Sequence, residues 1–449
     1  MSMVMHRTAR PNLATIASGD GMYLIDTTGN RYLDACGGAA VSCLGHSNER
    51  VKQAIINQVS SIPYAHSSFF TNDPQEQLAQ HLISNSQGDF SHVYFVSGGS
   101  EAMEASLKLA RQYFLESGKS SKKLFIARKQ SYHGNTLGAL AIGGNLWRRK
   151  PFDPLLVEGH HISAAYEYRG KLDNETSFEY GRRVANELEA KILELGEENV
   201  AAFVAETVVG ATSGALTAPD GYFKRIREIC DQYDVLLILD EIMCGMGRTG
   251  ALHASEFEGV QGDLQTVAKG IAAGYQPLGA VLISKKIADA IDSGSGFFQH
   301  GHTYIGHPSA CAAGLATQLE IQERNLLDNV RNQGENLRNQ LEVKFSSMPE
   351  LDQHIGDIRG RGLFIGIELV KDKESKEPFE PSLKIHSKIK KKAMENFLMV
   401  YPMGGTIDGV RGDHILIAPP FIIDDSNVEQ IVERLALSIK ESLGKTSKN

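Results

Sequence analysis

Val235-Leu236-Leu237-Ile238-Leu239-Asp240-Glu241 is an unbroken apolar run closed by two carboxylates. A run this short, with no polar alternation, is the pattern of a strand buried on both faces of a parallel sheet. Its acidic end then lies at the carboxyl edge, where open α/β sheets bind ligands. One acid is expected to face a ligand; the competing reading is a strand end that simply meets water. Ala201 to Ala205 repeats the pattern. Val93-Tyr94-Phe95-Val96 reads as a further strand, followed by the small residues Ser97 to Ser100 and by Met103, Leu107, Ala110 and Phe114 on one helical face. Helices between such strands imply a doubly wound α/β layer.

Outside that layer, Asp73-Pro74-Gln75-Glu76 has the form of a helix start, with Leu78 and Leu82 at helical spacing. The polar stretch from Tyr168 to Tyr180 is expected to be an exposed loop. After about Ala316 the pattern changes to one long amphipathic helix running through Phe345, then a strand-like Gly362 to Leu369. A last helix opens at Ser426 with Glu429 as capping partner and turns Val428, Ile431, Leu435 and Ile439 inward. These elements indicate a smaller α+β C-terminal domain.

With 449 residues, 42% hydrophobic and 22% charged, the chain is long enough for two or three domains at about 100–200 residues each. Its 46 basic against 54 acidic residues leave a net charge of −8, which disfavours nucleic acid as a partner. Cys36, Cys43, Cys230, Cys244 and Cys311 form no C-x-x-C pair, which points to a reducing compartment and no zinc knuckle. The N-terminus MSMVMHRTAR has no signal-peptide core, and no apolar stretch approaches a membrane span, so a cytoplasmic protein without a membrane partner is expected.

Lys269 sits in Val-Ala-Lys-Gly-Ile-Ala-Ala-Gly, among small and apolar residues. Desolvation there lowers an amine's pKa, and the neutral amine is the form that makes a Schiff base with an aldehyde. A snorkelling surface lysine is the alternative. The turn Ser97-Gly98-Gly99-Ser100-Glu101 before a helix offers backbone N–H groups and a positive helix end to a phosphate monoester, although many αβ turns carry Gly and Ser. Tyr132-His133-Gly134 follows the apolar Leu124 to Ala127 and could present an aromatic ring to a flat ligand; a lone aromatic is more often core. Gly245-x-Gly247-x-x-Gly250 spells a dinucleotide fingerprint, but its glycines come late after the strand and no helix follows promptly. His300, His302 and His307 lack a carboxylate or thiolate at ligand spacing, so no metal is expected.

Ser97-Gly98-Gly99-Ser100-Glu101-Ala102, Tyr132-His133-Gly134, Ala205-Glu206, Leu239-Asp240-Glu241, Gly247-Arg248-Thr249-Gly250, Lys269-Gly270, His302-Thr303-Tyr304 and Ala418-Pro419-Pro420 occur in one order. That order resembles the class-III pyridoxal phosphate-dependent aminotransferases, in their ω-aminotransferase branch of amine or ω-amino acid:pyruvate type. The resemblance implies a fold-type-I α/β transferase. Its large domain, residues 61–315, would carry a mostly parallel seven-stranded sheet, and its smaller α+β domain would combine residues 1–60 with 316–449. It implies pyridoxal 5'-phosphate as cofactor, an amino donor and a keto-acid acceptor as substrates, and a homodimer with active sites at the interface.

By the same resemblance Lys269 forms the Schiff base and shuttles the proton, Asp240 pairs with the pyridine nitrogen, and Glu206 lies beside the cofactor. Gly99 and Ser100 hold the phosphate with Thr303 of the neighbouring subunit. Tyr132 stacks on the ring opposite Ile242, and His133 completes the cofactor contacts. Phe69, Phe70 and Tyr401 match substrate-pocket positions. The chain departs from its relatives at Gly98 and Met103 of the phosphate turn, and at Leu416 and Tyr401, where arginines bind the substrate carboxylate in two groups of relatives. Arg411, in the glycine-rich stretch from Gly404 to Asp413, is the candidate substitute clamp. A racemase, aminomutase or decarboxylase uses the same Lys and Asp, and a catalytically silent scaffold would be expected to lack one of them.

Overall fold

The computed structural model describes residues 3–8 and 13–444. Its centre is a seven-stranded sheet in the order Phe90–Val96, Gly279–Ser284, Leu264–Ala268, Leu236–Asp240, Val200–Glu206, Leu124–Arg128, His160–Ile162. Only Gly279–Ser284 runs against its neighbours; the remaining pairings are parallel. Leu236–Asp240 and Val200–Glu206 are buried at every position, which is why neither shows polar alternation in the sequence. Helices Gly99–Glu116 and Ser177–Leu195 pack on opposite faces, each with its own buried cluster. The doubly wound layer is present as expected.

Ile355–Arg361, Phe364–Leu369, Asp413–Ile417 and Tyr401–Gly404 form a separate antiparallel sheet. A third sheet joins the two ends of the chain: Ile16–Asp20, Tyr23–Asp26 and Arg31–Asp34 meander antiparallel, and Leu398–Met399 pairs in parallel with the last of them. One apolar cluster runs from Met22 and Leu33 to Leu435 and Leu443.

Several local expectations need correction. Asn325, at φ +51°, breaks the long helix into Pro308–Glu323 and Leu326–Ser346. Asparagine tolerates the left-handed region that most side chains avoid. The first of those helices starts at Pro308, before the change of pattern expected at about Ala316. The caps also lie upstream of the residues expected. Asn72, not Asp73, accepts from the Gln75 N–H at 3.0 Å, and Asp424, not Ser426, accepts from the Asn427 N–H at 2.8 Å. The stretch from Tyr168 to Tyr180 is only partly loop. Thr176 and Glu179 close a capping box on Ser177–Leu195, and the Tyr180 hydroxyl is buried, accepting from the Tyr166 N–H.

A buried ion network ties the smaller sheet to the large one. Glu368 receives Arg359 Nη1 at 2.6 Å, Arg169 Nε at 2.7 Å and the Tyr166 hydroxyl. The Arg359 guanidinium also donates to the carbonyls of Ser213 and Gly214, in the segment that follows Val200–Glu206. Glu368 is fully buried. Removing its charge leaves Arg169 without a carboxylate partner and Arg359 with Asp357 alone, and breaking such a group costs about 3–5 kcal/mol. Glu368→Gln is expected to lower unfolding stability in urea at pH 7 by that amount; a change below about 1 kcal/mol would show the network to be idle.

Candidate active site

Strand register assembles the site. Asp240 sits level with Glu206 on one side and Thr266 on the other, at the carboxyl ends of three adjacent parallel strands. Two residues past Thr266 the strand ends, and Lys269 begins a short helical turn at φ +48°. A non-glycine residue held there costs on the order of 1–2 kcal/mol, and such strain gathers at functional sites. Gln318 Nε2 donates to the carbonyls of Gly270 and Ile271 and fixes the turn from below.

Across the edge, the antiparallel strand brings Gly279 against Gly98. A Cβ on Gly279 would lie 2.7 Å from the Gly98 carbonyl oxygen, so the approach requires glycine. Helix Gly99–Glu116 starts there with no side-chain cap, leaving its first N–H groups without intrahelical acceptors. A Cβ on Gly99 would lie 2.8 Å from Ile242, which explains glycine at that position too.

These elements enclose a cavity of about 480 Å³. Its walls include Ser97 to Ser100, Tyr132 to Gly134, Glu206, Asp240, Ile242 and Lys269. The two acids at the end of the 236–240 strand divide. Asp240 lines the cavity, while Glu241 turns away and accepts from the N–H groups of Ala254 and Ser255 at 2.7 and 2.8 Å. Burial pushes Glu241 up to about 7.

Asp240 is held by two contacts. Its Oδ2 lies 2.8 Å from His133 Nδ1, and its Oδ1 accepts from the Ile242 N–H at 3.0 Å. His133 Nε2 is buried with no partner among the described residues. Glu206 accepts from the N–H groups of Tyr132 at 3.0 Å and Gly210 at 2.8 Å, so it braces the wall that carries Tyr132. Burial first, then neighbouring Asp240, raises the Glu206 pKa. Lys269 is half-buried, and among the described residues no salt bridge reaches its amine. Burial draws its pKa from 10.5 down to about 8, against the pull of Asp240 and Glu206. This is the environment of a lysine kept for chemistry.

The whole stretch from residue 4 to 439 matches the family model described as Aminotransferase class-III. This chain belongs to the class-III aminotransferases. An aminotransferase of Gibberella zeae is 46% identical over 445 residues, covering 98% of this chain and 86% of that protein. The putrescine–pyruvate aminotransferase of Pseudomonas aeruginosa is 34% identical over 420 residues, covering 93% and 88%. Among solved structures, an omega transaminase from Pseudomonas jessenii in complex with PMP superposes with a TM-score of 0.91 at 32% identity, covering 100% of this chain and 97% of that one. The fold is that of the fold-type-I transaminases.

In this class-III aminotransferase the structure brings together Gly99, Ser100, Tyr132, His133, Glu206, Asp240, Ile242 and Lys269 around one cavity. It does not bring the expected substrate residues there. Phe69 and Phe70 are 77% and 68% exposed and pack with Tyr64 and His66, in a patch that also holds Tyr304. Thr303 belongs to the same surface, its carbonyl accepting from the Tyr64 hydroxyl. Tyr401 packs against the cluster of Val208, Met243 and Leu416 behind the cavity wall. Arg411 points to solvent, where Asp408 pairs with its Nε at 2.7 Å and also accepts its backbone N–H. Arg411 thus stands outside the cavity lining, in a surface pair with Asp408.

Two groups went unread in the sequence. Met243 and the link from Gly274 to Leu278 line the cavity but carry no chemical signature. Arg148 lies with its guanidinium carbon 4.5 Å above the Tyr132 ring; in the sequence it is one of three consecutive basic residues, a pattern shared with any solvated surface.

The lysine's environment makes a pH prediction. Below about pH 8 Lys269 is charged in both folded and unfolded protein, and its burial is a penalty. Between about 8 and 10.5 the unfolded chain binds more protons, so stability attributable to this residue rises with pH. Apoprotein carrying Lys269→Met should therefore be more stable than wild type at pH 7, with the gap closing toward pH 10.5. Urea unfolding across that range measures it, and a gap that does not depend on pH would reject the buried-ammonium account.

Proposed function

We propose that this aminotransferase moves an amino group from an ω-amino acid or primary amine to an α-keto acid such as pyruvate. Two half-reactions would alternate on pyridoxal phosphate. The observation that carries the reading is the convergence, in one cavity, of an unpaired low-pKa lysine, a braced carboxylate and an uncapped helix N-terminus.

These residues fit the cofactor group by group. The free N–H groups at Gly99 and Ser100 suit a phosphate monoester. Ile242 and Tyr132, both in the lining, suit the two faces of a flat ring. Asp240, fixed by His133 and the Ile242 N–H, is oriented to keep a proton on a ring nitrogen. When bound, the cofactor supplies an aldehyde that takes up the amino group and a ring that withdraws electrons from the reacting carbon.

Lys269 Nζ would anchor the cofactor as a neutral nucleophile and, once released by substrate, would move a proton at the substrate carbon, being the one lysine among the lining residues. Glu206 positions Tyr132 through its backbone N–H rather than by touching the reacting atoms. The exposed patch of Phe69, Phe70 and Tyr304 would face a second copy of the chain, with Thr303 contributing to the neighbouring phosphate site. All five cysteines are buried and free, and no described helix is long and apolar enough to cross a membrane, which supports work in the cytoplasm.

A panel of amines and ω-amino acids against pyruvate and 2-oxoglutarate, followed by cofactor absorbance, tests the assignment. Amine donors should convert the bound aldehyde to the amine form, and keto acid should reverse it; a holoenzyme that shows neither change with any donor would refute it. Lys269→Ala should lose turnover to background. Asp240→Asn should retain cofactor yet slow the proton-transfer steps by about 10²-fold or more, and a near-normal rate would remove Asp240 from the mechanism.

A further inference from the structure

The cavity is acidic for its task. Its lining carries Glu206 and Asp240 against the single amine of Lys269, which the proposed chemistry consumes. A keto acid or amino acid entering such a site needs a cation that is not already committed. Arg411, outside the lining and paired to Asp408, does not supply it in the observed conformation.

Arg148 does not itself line the cavity, but it stands against a residue that does. It lies in the turn Leu146–Arg149, which Asn145 caps by accepting from the Arg148 N–H. Its guanidinium lies over the ring of Tyr132, itself part of the cavity wall. Among the described residues no carboxylate stands within 4.0 Å of it; its Nε, like that of Arg149, is shielded from solvent without a hydrogen-bond acceptor. The adjacent Arg149 shows what a structural arginine looks like here: its guanidinium donates to the Gly143 carbonyl, contacts His161 and reaches Asp153.

The loop from Gly404 to Asp413 comes up against this turn, since a Cβ on Gly409 would lie 3.3 Å from the Trp147 nitrogen. Its two acids are engaged elsewhere, Asp408 with Arg411 and Asp413 with His386. The charge of Arg148 also reaches the cavity floor, where it adds to the burial that lowers the Lys269 pKa.

The geometry points to Arg148 as the residue that binds the substrate carboxylate in this enzyme, gripping it with the guanidinium edge while the ring of Tyr132 holds the guanidinium face. The proposal rests on the aminotransferase reading above. It makes α-keto acids and ω-amino acids, rather than carboxylate-free amines alone, the favoured substrates. A planar fork stacked on an aromatic is suited to bidentate carboxylate binding in a way that a lysine is not.

The test uses holoenzyme and the variants R148A, R148K and R7A. Arg7 is the other guanidinium whose charge reaches Tyr132, and it is exposed. Hexanoate, a carboxylate with no amine to react, is titrated calorimetrically, and kcat/KM is measured for pyruvate and for a carboxylate-free amine donor. R148A should weaken hexanoate about 10- to 100-fold and shift the amine-to-pyruvate ratio of kcat/KM by a similar factor, with R148K falling between it and wild type.

Unchanged hexanoate binding in R148A, or a loss seen in R7A instead, overturns the proposal. Equal losses for pyruvate and amine also overturn it, because they show Arg148 acting only through Tyr132. If wild type transfers no amino group yet its hexanoate binding depends on Arg148, the aminotransfer reading falls and the carboxylate site stands.

Discussion

Three parallel strands end level with one another, and this alignment is the constraint on which the site depends. It sets Glu206, Asp240 and Thr266 in a row, so that Lys269, the residue immediately after the strand Leu264–Ala268, brings an amine into the same cavity as the central carboxylate. A one-residue slip would turn Asp240 to the opposite face and put Glu241 in the cavity. Glu241 guards against that slip. Its carboxylate is taken up by the Ala254 and Ser255 N–H groups and the Thr207 hydroxyl, and these contacts exist only in the observed register.

The acids and the base have separate duties because their surroundings differ. Asp240 is bound on both oxygens yet borders the cavity. Glu206 spends its oxygens on backbone N–H groups, and Lys269 has no salt-bridge partner among the described residues. The burial that raises the Glu206 pKa lowers that of Lys269. Rigidity comes from behind. Arg359 and Glu368 link the smaller sheet to the 213–214 carbonyls, and His414 Nε2 donates to the carbonyl of Ala211, a lining residue.

What the sequence revealed follows a physical division. Strands buried on both faces show as unbroken apolar runs, and Asp240 and Lys269 stand at their ends, so the layer and its chemical centre were readable. Cap positions were not, because Asn72 beside Asp73, or Asp424 beside Ser426, offers equivalent acceptors one or two residues apart. The break at Asn325 was hidden because an asparagine in the left-handed region looks like any polar residue on a helix surface. Arg411 is a different case. Its spacing from Asp408 already suggested a local pair, whereas the stacking of Arg148 on Tyr132 depends on a fold that brings residues 16 apart into contact. Phe69, Phe70 and Thr303 carry no local cue to the surface on which they sit.

The single antiparallel strand has a further bearing on how such an enzyme can change. Because Gly279–Ser284 runs backward, the chain leaving Lys269 must fold over the mouth of the cavity before it can enter the sheet, and Gly274, Gln276, Pro277 and Leu278 form that rim. Rim and nucleophile are thus neighbours along one covalent tether only a few residues long. Evolution or engineering can exchange side chains on this hairpin to reshape the entrance. Inserting or deleting residues in it would shift the amine relative to Asp240, because the same few residues set the position of both rim and nucleophile.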